Sequence, residues 1–370
     1  MTFRIILSLA ILATNLAYSQ SKAFILKGTL KEVGSSNTIP YANIWVTNST
    51  QGTATDASGN FLISVGEIHA KEKIKISSIG YKTRFYSIDS LKNYNSVVLQ
   101  LESDVSLLDE VVIRTAPVNP AEIVQEAIAS IDKNYLNAPF NIEYYSEMTA
   151  SDISSGKVFS LETILTGYSS GYSSGKRIIF KIPQKRATGD NHLKAIDYNY
   201  WPTFEIHNVD QISNAFKHGI LNLKHLDKFS MKYSGVSLFD EDTVFTIEYY
   251  APKPTKEITG YGVVPKVYKG SISITTGTHA IVKHEITTDQ FSYSIIYKKW
   301  EEKYFPYWIY GERRTRATVL LSKITNSITL KSIETKNVKV IEGKVNEFDD
   351  INTVKYDEVY WNTFFPKEEK

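Results

Sequence analysis

The chain has no cysteine in its 370 residues. That excludes a disulfide framework, any thiolate-bound metal and an acylated cysteine as a membrane anchor. Methionine is scarce at three residues, while tyrosine and phenylalanine number 24 and 17, a bias towards strands. A surplus of one charge is also missing: the net charge is +2, too little for a field that would draw nucleic acid. The sequence has no Gly-x-Ser-x-Gly elbow, no Walker loop and no His-Glu-x-x-His. No catalytic residue, no metal and no cofactor is therefore expected. Hydrophobic content of 42% is ordinary for a globular protein, and the length allows two domains.

Residues 1–19 read as a signal peptide. Arg4 supplies the positive start, residues 5–12 form an apolar core too short to span a bilayer permanently, and Ala17 and Ser19 suit cleavage before Gln20. The expectation is an exported protein, in the periplasm or associated with the outer membrane.

Residues 22–102 carry strand signals at short intervals. Pro40-Tyr41-Ala42-Asn43-Ile44-Trp45-Val46 puts Ala42, Ile44 and Val46 on one face, and Phe61, Ile63 and Val65 repeat the alternation. Between them, Asp56-Ala57-Ser58-Gly59-Asn60 is turn chemistry. Lys73-Ile74-Lys75-Ile76 alternates again, and Val97-Val98-Leu99 closes the set. Roughly seven short strands with regular turns predict a β-sandwich.

The motif residues Pro40, Asn43, Asp56, Gly59, Phe61, Gly80 and Tyr81 resemble those of the carboxypeptidase-regulatory-like domain. The stretch Leu107-Leu108-Asp109-Glu110-Val111-Val112 is similar to the short strand that follows that module. The resemblance implies a seven-stranded, transthyretin-like fold, as at the amino termini of outer-membrane proteins of Gram-negative bacteria. It implies a setting and no activity.

Residues 103–120 read as a linker with one short strand, punctuated by Pro117 and Pro120. Asn119-Pro120-Ala121-Glu122 then opens a helix over 121–134, with Ile123, Val124, Ala127, Ile128 and Ile131 on its apolar face. From Phe140 onward strand patterns dominate, broken by a predicted helix over 209–226 with Ile212, Phe216 and Leu223 at helical spacing. The fold class expected is mainly β: an N-terminal seven-stranded sandwich, then a large antiparallel sheet domain over 121–370 with a few helices. The hairpin rhythm around Lys269-Gly270, His279-Ala280 and Tyr304-Phe305-Pro306 resembles LolA-like lipoprotein carriers.

Several groups deserve weighing as sites. His69 and Glu72 have His-x-x-Glu spacing but no third ligand, and read as an exposed loop. His207, His218 and His225 share one segment and read as a polar helix face. Phe239-Asp240-Glu241-Asp242 lacks the spacing of a calcium loop and reads as a hairpin turn. The repeat Tyr168-Ser-Ser-Gly171-Tyr172-Ser-Ser-Gly175 reads as a flexible loop. The densest aromatic cluster, Tyr304, Phe305, Tyr307, Trp308 and Tyr310, is the candidate ligand groove, against the alternative of ordinary cross-strand packing.

The leading expectation is a non-catalytic binding or structural protein of the cell envelope, whose partner is an outer-membrane protein or an apolar ligand and not nucleic acid. Two alternatives stand beside it. One is an outer-membrane β-barrel, against which Lys283, Lys298 and Lys299 on strand faces count. The other is an envelope hydrolase of unrecognised type.

Overall fold

The computed structural model describes residues 23–40, 42–49, 52–55, 58–66, 69–78, 80–104, 118–152, 158–189, 210–212, 218–239, 242–260, 263–317, 320–342 and 354–364. The signal segment, the 107–113 strand, Asp56 and His207 lie outside the described residues. The chain is mainly β and divides into two compact units. The first runs to Ile76 and includes Thr83–Leu101; the second takes Ser77–Lys82 and everything from Glu102.

In the first unit, β1 (Ala23–Glu32), β4 (Asn60–Gly66) and β7 (Val97–Leu101) form one sheet in the order β4-β1-β7, with β1 and β7 parallel. The other sheet is β3-β2-β5-β6, from β2 (Asn43–Val46), β3 (Gly52–Ala54), β5 (Lys73–Ser77) and β6 (Arg84–Ser87), after which comes α1 (Ile88–Leu91). The alternation read in the sequence is what fills the core: Ala42, Ile44 and Val46 are fully buried, as are Val65, Ile74 and Ile76. Thr55 ties the turn region together, its hydroxyl accepting from Ala42 N at 2.8 Å and donating to Ile39 O at 2.7 Å. Gly59 has φ 76°, and a Cβ there would stand 2.7 Å from Thr38 Cβ, so the position takes glycine on two counts.

The second unit is built on ten antiparallel strands: β8 (Phe140–Asp152), β9 (Val158–Ser169), β10 (Ile179–Gly189), β11 (Ser230–Phe239), β12 (Asp242–Tyr250), β13 (Tyr268–Thr275), β14 (Ile281–Thr288), β15 (Phe291–Trp300), β16 (Lys303–Ala317) and β17 (Leu320–Glu334). Their order is β10-β9-β8-β17-β16-β15-β14-β13-β12-β11, so β10 and β11 are the two edges among the described residues.

Helix α2 (Pro120–Ala129) starts as its sequence dictates: Asn119 Oδ1 accepts from Ala121 N at 3.1 Å, and Pro120 occupies the first turn. It packs over β11 and β13 with Ile123, Val124, Ala127 and Ile128 buried. The short α3 (Ile131–Asn134) is pinned to the β13–β14 turn by Asn134 Nδ2 donating to Thr278 O at 2.9 Å. Two further helices are short, α4 (Lys256–Thr259) and α5 (Glu358–Phe364).

The described part of 209–226 is not the helix that its apolar spacing predicts. It is turns, then a 3-10 helix over Leu223–Lys228. The reason is local. Gly219 adopts φ 79°, where the Gln211 side chain would collide with a Cβ at 2.2 Å, and Asn222 restarts the chain by capping Lys224 N at 3.0 Å. Residues 213–217 lie outside the described residues.

Candidate functional site

Register makes the two faces of the ten-stranded sheet chemically opposite, because successive side chains of a strand point to opposite sides. On one face a single row of direct cross-strand neighbours reads Thr163, Ser146, Ile328, Ile309, Ile295, His284, Ile272 and Ile247, all buried. On the other, a row crosses all ten strands as Arg186, Glu162, Glu147, Ser327, Tyr310, Ser294, Glu285, Ser271, Glu248 and Lys232. One face is an isoleucine layer, the other a polar belt.

The apolar face carries a buried tyrosine layer. Tyr135, which ends α3, meets Tyr172, Tyr297 and Tyr304 with ring centroids 5.8, 5.7 and 6.2 Å away. Phe140 and Phe305 join edge-on at 5.3 Å, and Phe140 also meets Tyr172 at 5.6 Å. Geometry of this kind contributes beyond the area buried. Two hydroxyls are spent on backbone: Tyr135 donates to Ile281 O at 2.6 Å and Tyr144 to Pro306 O at 3.1 Å.

Into this layer the chain inserts Asp210 and Gln211. Asp210, fully buried, accepts from the Tyr297 hydroxyl at 2.9 Å. Gln211 Nε2 donates to the Tyr268 hydroxyl at 3.1 Å, and beyond it the Tyr249 hydroxyl meets His284 Nε2 at 2.7 Å. Loss of hydration pushes the phenols of Tyr135, Tyr144, Tyr172 and Tyr297 well above their ordinary range, and the Asp210 charge adds to it. Burial pushes Tyr268 up to about 12 and His284 down to about 3. These five phenols and the imidazole are thus neutral near neutral pH. Tyr172 Oη, Gln211 Oε1 and His284 Nδ1 are buried without a hydrogen-bond partner among the described residues.

On the polar face Arg186 grips Glu162 through Nε and one Nη, each at 2.6 Å, and the Tyr145 hydroxyl donates to the same carboxylate at 2.5 Å. Helix α5 lies over this pair: the Arg186 guanidinium is 4.9 Å from the Trp361 ring centroid, and Trp361 packs with Tyr145 and Ile164. Glu147 is the direct neighbour of Glu162. Part of the residue remains exposed, yet loss of hydration first, and the Glu162 charge second, push its carboxyl up to about 8. Further along, Lys283 is buried with its Nζ 2.8 Å from Glu285 Oε1.

The aromatic cluster singled out in the sequence does not form one groove. Trp308 and Tyr310 stack at 5.8 Å on the polar face, where Trp308 Nε1 donates to Ser327 Oγ at 2.9 Å. Tyr304 and Phe305 belong to the tyrosine layer, and Tyr307 lies under the Lys298 ammonium at 4.5 Å. Period-2 alternation separates neighbours in sequence, and a register shift between Ile296 and Tyr297 re-aims the start of β16. Tyr172 is no exposed loop residue either: it is buried, on a 3-10 turn held by hydrogen bonds of Ser173 with Asp132 and Asn137.

The other candidates resolve locally. Glu72 Oε2 accepts from Thr47 Oγ1 at 2.7 Å and Asn48 Nδ2 at 3.1 Å, so it anchors a turn. His218 and His225 both face Glu257, one through its carbonyl at 3.3 Å and one through its carboxylate at 3.5 Å. Among the described residues no group of His, Asp and Glu has the geometry to hold a metal ion. Of the module motif, Phe61 is buried, Pro40 sits exposed in a turn, Asn43 opens β2, and Gly80 with φ 80° turns the chain so that Tyr81 bridges to Ser103.

With this geometry in place, comparison with known proteins defines the first part of the chain. Residues 26–113 match the family model of the CarboxypepD_reg-like domain. No curated protein matches the chain. Solved structures similar to it include an outer membrane lipoprotein-sorting protein domain from Vibrio parahaemolyticus, at 11% identity over 63% of this chain and 96% of that one, with a TM-score of 0.29. A DUF1329 family protein from Desulfovibrio piger is 10% identical over 60% and 96%, TM-score 0.30. Lipoprotein LppX from Mycobacterium tuberculosis is 7% identical over 60% and 97%, TM-score 0.24.

Proposed function

We propose that this is an exported cell-envelope protein that works by binding rather than catalysis, at or near the outer membrane. Its ligand is an amphiphile held between the ten-stranded sheet and its helical cover. The observation that carries the reading is the tyrosine layer around Asp210, in which Tyr172 Oη, Gln211 Oε1 and His284 Nδ1 are buried without a hydrogen-bond partner among the described residues. Buried polar atoms ordinarily find partners. A ligand with a polar end would satisfy these, and the isoleucine row would take its apolar part. The amino-terminal segment and the CarboxypepD_reg-like module support the envelope setting.

The two alternatives have less support. A membrane barrel presents its apolar face to lipid and closes on itself. Here α2 and Tyr135 cover the apolar side, and among the described residues no pairing joins β10 to β11. A hydrolase would need a titratable group free to meet substrate, whereas the Glu162–Arg186 pair lies beneath Trp361.

The test has two stages. Cells are fractionated with carbonate and high-salt washes, and the purified protein is extracted with organic solvent for mass spectrometry. A bound amphiphile, displaceable by a fluorescent apolar probe, is the expected result. Tyr172→Phe should weaken the probe's competitor about fivefold by removing one hydrogen bond, without lowering the melting temperature. A protein that carries nothing and takes up no probe defeats the reading.

A further inference from the structure

The loop from α4 to β13 exposes three valines: Val263 at 71%, Val264 at 40% and Val267 at 45%. Tyr250, 54% exposed, stands beside them at the end of β12, opposite Lys269. The loop is held. Asp289 Oδ1 accepts from Lys266 N at 2.8 Å and Val267 N at 3.3 Å, Ala251 N donates to Tyr268 O at 2.9 Å, and Pro265 is buried. Apolar side chains fixed in water by their own backbone cost free energy that folding does not return, which marks them as a contact surface.

Lysines outnumber acids around them, the acids being Asp289, whose charge lies beside Lys266, and Glu257. Lys253, Lys256, Lys266 and Lys269 are all exposed, and none is in an ion pair among the described residues. Glu257 faces His225 on the neighbouring 3-10 helix, which is joined here by Gly219 N donating to Ile258 O at 2.8 Å. That helix extends the patch with Leu223, 57% exposed, and Lys224.

We propose that this patch docks the protein on an anionic lipid bilayer, the valines entering the headgroup boundary and the lysines meeting lipid phosphates. Protein interfaces are depleted in lysine and enriched in arginine and aromatic residues. Here the cations are all lysine, and no arginine occurs between Arg186 and Arg313. Small apolar tips ringed by lysine are the composition of a surface-bound element that reaches a few ångströms into a membrane. The inference does not require the tyrosine layer to hold a ligand.

Co-sedimentation of the mature chain with vesicles tests it. Binding is expected to phosphatidylcholine vesicles containing phosphatidylglycerol, not to phosphatidylcholine alone, and should fall as salt is raised. Val263→Asp with Val264→Asp should abolish it. Lys253→Gln with Lys256→Gln should weaken it by about fivefold per lysine. Val263 and Val264 lie on the loop, and Lys253 and Lys256 lie just before and at the start of α4; all four are exposed, and unchanged melting curves would establish that the variants fold. Binding to neither vesicle, equal binding to both, or binding untouched by either pair overturns the proposal. Capture of a protein at the patch without vesicle binding overturns it as well.

Discussion

Burial moves Glu147 and His284 in opposite directions, one up to about 8 and the other down to about 3. For His284 the neutral ring is what the isoleucine row tolerates. For Glu147 the consequence can be measured. Its value in the folded protein lies above the 4.5 of a free carboxyl, so folding favours the protonated form. The associated stability is complete below about 4.5 and is lost as pH rises through about 8. Glu147→Gln, which cannot ionise, should leave stability unchanged at the acid end and raise it at the alkaline end, by on the order of 1–2 kcal/mol once solvent screening of its exposed part is discounted from the full shift. Melting curves of the two proteins across that range should therefore diverge with rising pH. Parallel curves would mean that Glu147 ionises freely beside Glu162.

At the scale of elements, Trp361 is a buried anchor of α5, set against Arg186, Tyr145 and Ile164. Trp361→Ala should release the helix, so that limited proteolysis cuts near residues 354–364 at least about tenfold faster, as a docking loss of about 2 kcal/mol or more implies. Equal cleavage rates would show that other contacts hold it. The elements are also where sequence and structure can be compared. The module strands and α2 were legible because one buried face writes a period into the chain: Ala42, Ile44 and Val46, or Ile123, Val124, Ala127 and Ile128. In the described part of 209–226 the expected helix is absent, because apolar spacing says nothing of Gly219 or of the cap at Asn222. The site was legible only in part. Tyr304 and Phe305 were marked by their crowding, but Tyr135 and Tyr297 stand apart from other aromatics, Tyr144 is adjacent only to Tyr145 on the opposite face, and these residues meet only in the fold. Asp210 gave no signal, being a single carboxylate in an irregular stretch.

The molecule as a whole contains two cores, one for each compact unit. Each buries its own apolar set, the first around Ile44, Val65 and Leu99, the second around the isoleucine row and the tyrosine layer. Thermal or urea unfolding should accordingly show two transitions. A ligand of the tyrosine layer should shift only the one that belongs to the ten-stranded sheet. One transition by calorimetry, shifted entire by ligand, would mean that the units unfold together. Each end of the ten-stranded sheet also carries a fault. In β10 the register slips between Lys181 and Gln184, around Pro183, which has no N–H to offer. In β11 it slips between Tyr233 and Gly235, where φ reaches 125°. A strand that is kinked or lacks a donor cannot template the next one. At the described edges, a second copy of this chain would therefore meet a broken ladder on either side, which disfavours edge-to-edge growth.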